Sequence, residues 1–299
     1  MAVRIGTAER DSTFLSQGQA LKTVLERNSA LAPVDVSISP TASVENANRL
    51  AARDIDFGFM AANWIGRAKN GEAPFAQKID LRMVAPMNAG PLFFIVRADS
   101  SLRAVTDLRG RRLVVGPEKS GMAQHARVML GAVGLTFSDF APIYLDFAAG
   151  ADALARGEAD AQLQCPIPNK VMTALADRIA LRVLPYAPGD LEKVLGAVPF
   201  YRRTVMRKNA IRGLEADVVQ AAVVNVLVTH ARAPEVMVRN VAAAIFAARD
   251  ELPRLNGLFA GFGELFEPLR SEGARALEFG GVDLHPGALA AYRAAELLS

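Results

Sequence analysis

The chain has 299 residues, half of them apolar, and a formal net charge of only +3. That length accommodates two domains of ordinary size with ample core. The single cysteine, Cys165, excludes an intramolecular disulfide framework. The basic residues are dispersed, and the one cluster, Arg109, Arg111 and Arg112, has no aromatic platform beside it, so no nucleic-acid partner is expected.

From the N-terminus, residues 3–6 read as a strand, 7–13 as a loop, and 14–28 as a helix with Leu15, Leu21, Val24 and Leu25 on its apolar face. Pro33 breaks the chain. Residues 34–39 alternate like a strand, 40–43 turn, and 44–53 are helical. A nearly continuous apolar strand, 56–61, ends at Ala62-Asn63-Trp64. This is β-α-β-α-β, the pattern of a parallel sheet with right-handed crossovers. The pattern then repeats: strand 113–116, helix 121–133, strand 141–146, helix 149–156, strand 160–164, a turn through Cys165 and Pro166, and helix 169–178. Leu50-Ala-Ala-Arg-Asp-Ile-Asp-Phe57 matches Leu154-Ala-Arg-Gly-Glu-Ala-Asp-Ala161 in spacing, at the same place in each half.

Two such halves predict two α/β lobes. The strand-like runs 91–96 and 218–229 read as antiparallel crossover strands forming a hinge, packed by Met87 and Phe93. The expected domains are 1–93 with 225–299, and 94–224. Residues 234–252 read as one long helix, 256–263 as a loop, and 286–298 as a short helix. The apolar runs near 223–228 and 241–248 fall far short of the ~20 residues that span a bilayer, so no direct membrane insertion is expected.

The most informative stretch is Gly116-Pro-Glu-Lys-Ser-Gly-Met-Ala-Gln124. A buried strand leads in and a helix leaves, with Ser120 at the N-cap position and Gly134 at the C-terminal cap. The free N–H groups of the first turn and the helix dipole suit an anion. Ser120 adds a hydroxyl, and Gly121 lets a ligand approach the backbone. Met122 and Ala123 stand where a P-loop needs lysine and a hydroxyl, which argues against a nucleotide triphosphatase. A serine-capped βα turn with no ligand is the other reading of the same residues.

Ligands of open parallel sheets bind beyond the carboxyl ends of the strands. That rule selects the loops 8–14, 40–43 and 62–64 in the first lobe, and 117–122, 146–150 and 165–168 in the second. If the lobes face each other, these loops line one cleft. The candidate ligand-binding residues are Arg10, Ser12, Thr13, Phe14, Ser43, Asn63, Trp64, Ser120, Gly121, Met122, Ala123 and Pro166. Arg10 is suited to a bidentate carboxylate contact. Ser43 is expected to cap its helix, Asn46 to brace the capping turn, His125 to pack or sit at the surface, and His285 to be structural. No G-x-S-x-G elbow or H-E-x-x-H helix occurs, and His125, His230 and His285 are widely separated. No catalytic residue, metal or cofactor is therefore assigned.

Ile5-Gly-Thr7 with Phe14, Thr41-Ala-Ser-Val-Glu-Asn46, Asp107-Leu-Arg-Gly-Arg111 with Val115-Gly116, Ser120-Gly121 and Leu284-His-Pro-Gly-Ala288 carry a family resemblance in their order and spacing. The chain resembles the TAXI branch of TRAP-transporter solute-binding proteins from about residue 5 to 296. That resemblance implies a two-lobed type II periplasmic-binding-protein fold, capture of a small organic acid anion, and delivery to a TRAP membrane permease. No basic n-region followed by an apolar segment is seen. The expectation is a periplasmic protein whose signal has been removed, or otherwise a cytoplasmic one. The alternative is a cytoplasmic enzyme on the same scaffold, such as an aromatic-acid decarboxylase.

Overall fold

The computed structural model describes residues 2–10, 12–118, 120–164 and 167–299. The chain divides into two compact units, Met1–Ala89 with Val224–Ser299, and Gly90–Val223. In chain order the elements are β1 (Val3–Gly6), α1 (Thr13–Leu25), β2 (Val34–Ser37), α2 (Ser43–Ala52), β3 (Phe57–Ala61), a 3-10 turn at Ala62–Trp64, α3 (Ile65–Asn70) and β4 (Leu81–Arg97). Then come β5 (Arg112–Val114), α4 (Gly121–Ala132), β6 (Ala141–Ile143), α5 (Phe147–Arg156), β7 (Ala161–Gln164), α6 (Lys170–Arg178), β8 (Leu181–Val183), α7 (Asp190–Ala197), β9 (Tyr201–Met206) and β10 (Val218–His230). The chain closes with α8 (Glu235–Ala247), α9 (Leu252–Leu255), α10 (Pro268–Glu272) and α11 (Pro286–Ala294).

In the first unit β1 pairs in parallel with both β2 and β3, and β10 runs antiparallel against β3. The chain moves from β1 out to β2, then crosses back over β1 to reach β3. Two right-handed crossovers in opposite directions put α1 and α2 on opposite faces of the sheet. Side-chain contacts agree. Thr7 and Phe59 lie near Gly18 of α1, whereas Gly6 and Gly58 lie under Asn46 of α2.

The second unit repeats this. β5 pairs in parallel with β6 and β7, and β4 runs antiparallel between β7 and β8. Its main core gathers Phe93 and Ile95 of β4, Leu154 of α5, and Met172 and Leu175 of α6. β9 pairs antiparallel with the Val218–Val223 part of β10. The strands β4 and β10 are the two chain crossings between units. Where they leave the first unit, Asn225 Nδ2 donates to Asn88 Oδ1 at 3.1 Å, and Gln17 Nε2 of α1 donates to the same oxygen at 3.2 Å.

Several expectations are corrected. The crossover strand read as 91–96 spans Leu81–Arg97; Pro86, Gly90 and Pro91 disguise its first half because such residues normally interrupt strands. The long helix expected over 234–252 ends at Ala247, and α9 begins again with Pro253 near its N-terminus. The loop expected at 256–263 holds a core. Phe259 and Phe262 pack edge to face at 5.1 Å, Phe262 and Phe266 at 5.2 Å, and Phe266 against Tyr292 of α11 at 5.7 Å. Spacing 3 and 4 among those rings places them on one side of successive short turns. β8, α7 and β9 carry no expectation above, being short and interrupted by Pro185, Pro188 and Gly189. His285 has the structural role expected: it caps α11, its Nδ1 accepting from Gly287 N at 3.1 Å. No helix among the described residues is long and apolar enough to cross a membrane.

Candidate functional site

In the second unit the chain leaves β5 through Gly116, at φ +92°, a left-handed conformation that suits glycine. A Cβ there would come within 2.7 Å of Met122 Cβ, so the strand end abuts the first turn of α4. Ser120 is the N-cap of α4, and its Oγ accepts from Ala123 N at 3.2 Å. The Ala123 N–H is thus engaged by its own cap, which corrects the expectation that it stands open to a ligand. The serine O–H remains a donor. Gly121 has open space where a Cβ would project, as close backbone approach by a ligand requires. Met122 is half-buried and Ala123 buried. Pro166 lies outside the described residues.

One turn into α4, His125 Nδ1 lies 2.8 Å from the Tyr201 hydroxyl, and Phe200 meets its ring edge-on at 6.3 Å. Burial holds its pKa at about 4, so the ring is neutral at pH 7. This is the packing role expected of it.

In the first unit, Ser12 caps α1, its Oγ accepting from Leu15 N at 3.1 Å. Arg10 is exposed, and Thr13 opens the helix. Phe14 is buried and stacks on Phe59 at 5.4 Å. Asn63 and Trp64 form the 3-10 turn after β3, both half-buried. Trp64 packs edge-on to Phe75 at 6.3 Å, and Arg67 lies 5.4 Å from its ring.

Ser43 does not cap α2. The N-cap is Ala42, at φ 48° and ψ −115°, a region that side chains rarely enter. Ser43 Oγ instead accepts from Ala61 N at 3.0 Å, tying the start of α2 to the end of β3. Asn46 does not brace the capping turn either. Its Nδ2 donates to Thr7 O at 2.7 Å and Phe59 O at 2.8 Å, stitching the ends of β1 and β3 together.

Each unit therefore has a topological switch point where the strand order reverses, between β1 and β3 in one and between β5 and β7 in the other. Ligands of open α/β sheets bind at such switch points. At the second, the ladder ends by pairing Val114 with Gln162, and β7 runs on to Gln164. Gln164 is fully buried, and among the described residues neither Oε1 nor Nε2 has a hydrogen-bond partner. Leaving such groups unpaired costs roughly 1–3 kcal/mol each. This residue is absent from the sequence-based candidates. Ala161-Gln162-Leu163-Gln164 reads as the polar alternation of a half-exposed strand, which conceals that both faces are covered.

Two cavities lie elsewhere. One of about 190 Å³ in the first unit is lined by Arg4, Arg53, Asp56, His230 and Arg232. It sits at the starts of β1 and β3, the opposite end of the strands from the candidate loops. Another of about 110 Å³ lies between α6 and the Asn209–Arg212 segment of the second unit.

The architecture is that of a type II periplasmic-binding-protein-like fold: α/β, two βαβαβ units, and two crossing strands. Two solved structures show this fold similarity. The periplasmic aliphatic sulphonate binding protein SsuA from Escherichia coli is 17% identical with TM-score 0.50, over 99% of this chain and 88% of that one. The putative sulfonate ABC transporter periplasmic sulfonate-binding protein SsuA from Methylobacillus flagellatus is 14% identical with TM-score 0.51, over 100% of this chain and 88% of that one. The chain belongs to the NMT1-like family, which it matches over residues 5–295.

Proposed function

We propose that this chain is a periplasmic solute-binding protein of the TAXI type. It captures a small organic acid anion on its strand-end loops and delivers it to a TRAP-type membrane permease. The observation that carries this reading is the first turn of α4, where Ser120 caps the helix and Gly121 leaves the backbone open beside the end of β5. Membership of the NMT1-like family and a fold shared with sulfonate-binding proteins support the same class. The ligand carboxylate rests against Gly121 and Met122 and accepts from the Ser120 hydroxyl. The strand-end loops of the first unit carry the candidates Arg10, Ser12, Thr13, Phe14, Ser43, Asn63 and Trp64, and those of the second carry Pro166.

A helix N-terminus stabilises a partly buried anion by up to ~2 kcal/mol, and a hydrogen bond to a charged group contributes about 1.5–3 kcal/mol. Ser120→Ala is expected to weaken binding roughly tenfold to a hundredfold. Gly121→Val weakens it further by occupying the approach, while Ser138→Ala changes little. Calorimetry with propionate, succinate and glutarate, and with ethanesulfonate as the sulfonate arm, is the test. Parent-like binding by both Ser120→Ala and Gly121→Val, with normal folding, would reduce this turn to a capped helix start. Osmotic-shock fractionation of the native host tests location: recovery only with the cytoplasm would remove the transport reading.

A further inference from the structure

The amide of Gln164 is the clearest unmet hydrogen-bonding demand at the switch point of the second unit. Among the described residues both its polar atoms are buried without partners, and Gln162, two residues back on the same strand face, also keeps a buried unbonded Oε1. Buried polar groups are otherwise almost always paired, so an unpaired amide calls for a missing partner. The position is particular to this unit. Counted from the matching Arg-Asp pairs that open the ladders, Arg4 with Asp56 and Arg112 with Asp160, the residue equivalent to Gln164 is Met60, also fully buried. The same place in the fold is thus filled by an apolar side chain in one unit and by an unsatisfied amide in the other.

We propose that Gln164 is a ligand-contacting residue that selects organic anions bearing a hydroxyl on the carbon chain. The inference rests on the anion site proposed at α4 and adds the chemistry of the rest of the ligand. An ammonium group would use only Oε1 of the amide, and a second carboxylate only Nε2. A hydroxyl donates to Oε1 and accepts from Nε2, meeting both demands at once. Gly116, just past the end of β5, touches the first turn of α4. Gln164 shares the strand face of Gln162, which meets α5, so the ligand reaches over the ends of β5 and β7 from the first turn of α4 to the amide.

The test compares anions that differ by one hydroxyl: propionate with lactate, succinate with malate, and glutarate with 2-hydroxyglutarate. Affinity is read by calorimetry on the parent, Gln164→Met and Gln164→Leu. The parent is expected to bind the hydroxylated member of at least one pair about tenfold more tightly. Both variants bring that preference to within about twofold, the loss falling on the hydroxylated member. The thermal midpoint of the empty protein does not fall in Gln164→Met, because an unpaired amide is replaced by the side chain the first unit already carries. Equal binding of both members by the parent would mean that a buried water satisfies the amide, and the proposal falls while the anion site stands. A preference that survives in both variants, or a midpoint lowered by several degrees in both, also overturns it. If none of the six anions binds the parent, the anion site at α4 fails and this proposal with it.

Discussion

The two units solve one packing problem in mirrored ways. Each has, within the first two residues of the first strand of its βαβαβ run, an arginine whose backbone N–H and guanidinium bind an aspartate just before the third strand. Arg4 N donates to Asp56 Oδ2 at 2.9 Å and Arg4 Nη2 to Oδ1 at 2.8 Å; Arg112 N donates to Asp160 Oδ2 at 2.8 Å and Arg112 Nη2 to Oδ1 at 2.7 Å. Each second helix ends in a left-handed cap, Arg53 at φ 62° and Gly157 at φ 75°. Between these shared ends the roles invert. In the first unit glycines on the strands, Gly6 and Gly58, make room for Asn46 on the helix. In the second a glycine on the helix, Gly150, makes room for Gln162 on the strand, whose Nε2 donates to Phe147 O at 3.0 Å. A helix and a sheet at close approach admit one amide between them, and either layer can supply it, provided that the other supplies no side chain. Gly6 and Asn46 carry the geometry in one unit, Gly150 and Gln162 in the other.

The sharpest way to break this comparison is to place an amide on both layers. Gly150→Asn puts a side chain where even a Cβ would collide with Gln162 Nε2 and come within 2.6 Å of Val114 Cγ1. A loss of about 3 kcal/mol is expected from overpacking, and Gln162→Gly in the same chain recovers much of it by recreating the first unit's arrangement. Urea denaturation of the two singles and the double reads the coupling. Additive losses would show that the two arrangements are not interchangeable.

A pH effect is shared in direction, since burial lowers His230 and His285 of the first unit as well as His125 of the second, and it is largest at His125. Its ring takes up a proton near pH 4 when folded and near 6.5 when unfolded. Between those values the unfolded chain binds more protons, so stability falls as pH drops through that window, by up to about 3 kcal/mol. Above pH 7 the ring contributes no pH dependence. His125→Phe is expected to flatten the profile between pH 4 and 6.5, and an unchanged slope would refute the assignment.

The Arg-Asp pairs sharpen the likeness. The Arg112 guanidinium hydrogen bond comes first among the interactions that hold the Asp160 carboxyl below its ordinary range. The stability it adds is present above the unfolded carboxylate pKa and is lost as pH falls through the folded one. Asp160→Asn and Asp56→Asn are each expected to cost about 1–2 kcal/mol, since these half-exposed ion pairs also carry backbone hydrogen bonds. A large cost at one site and none at the other would break the equivalence. The smallest effect concerns the caps. Ser120→Ala costs ~1 kcal/mol of stability, whereas Ala42→Gly, which relieves a backbone conformation that disfavours a side chain, leaves stability unchanged or raises it by roughly 0.5–1 kcal/mol. Thermal melts of both variants compare a capped with an uncapped helix start.

What could be read along the chain was local. Alternation and helical spacing located β1 to β3 and β5 to β7 with their helices, because period-2 and period-3.6 burial repeat within a few residues. The repeat of Leu50–Phe57 in Leu154–Ala161 was visible for the same reason, and it coincides with the Asp56 and Asp160 pairings. Ser120 was legible as a cap because a cap bonds three residues ahead. What the fold decided depends on partners far along the chain. Ser43 looked like a cap until Ala61 claimed its oxygen, 18 residues away. Asn46 reaches Thr7 across 39 residues. The unpaired amide of Gln164 exists only because strands β4 and β5 and the covering layers close around β7. Sequence spacing encodes which face a residue presents; burial and unmet hydrogen bonds arise only when distant segments take away the water.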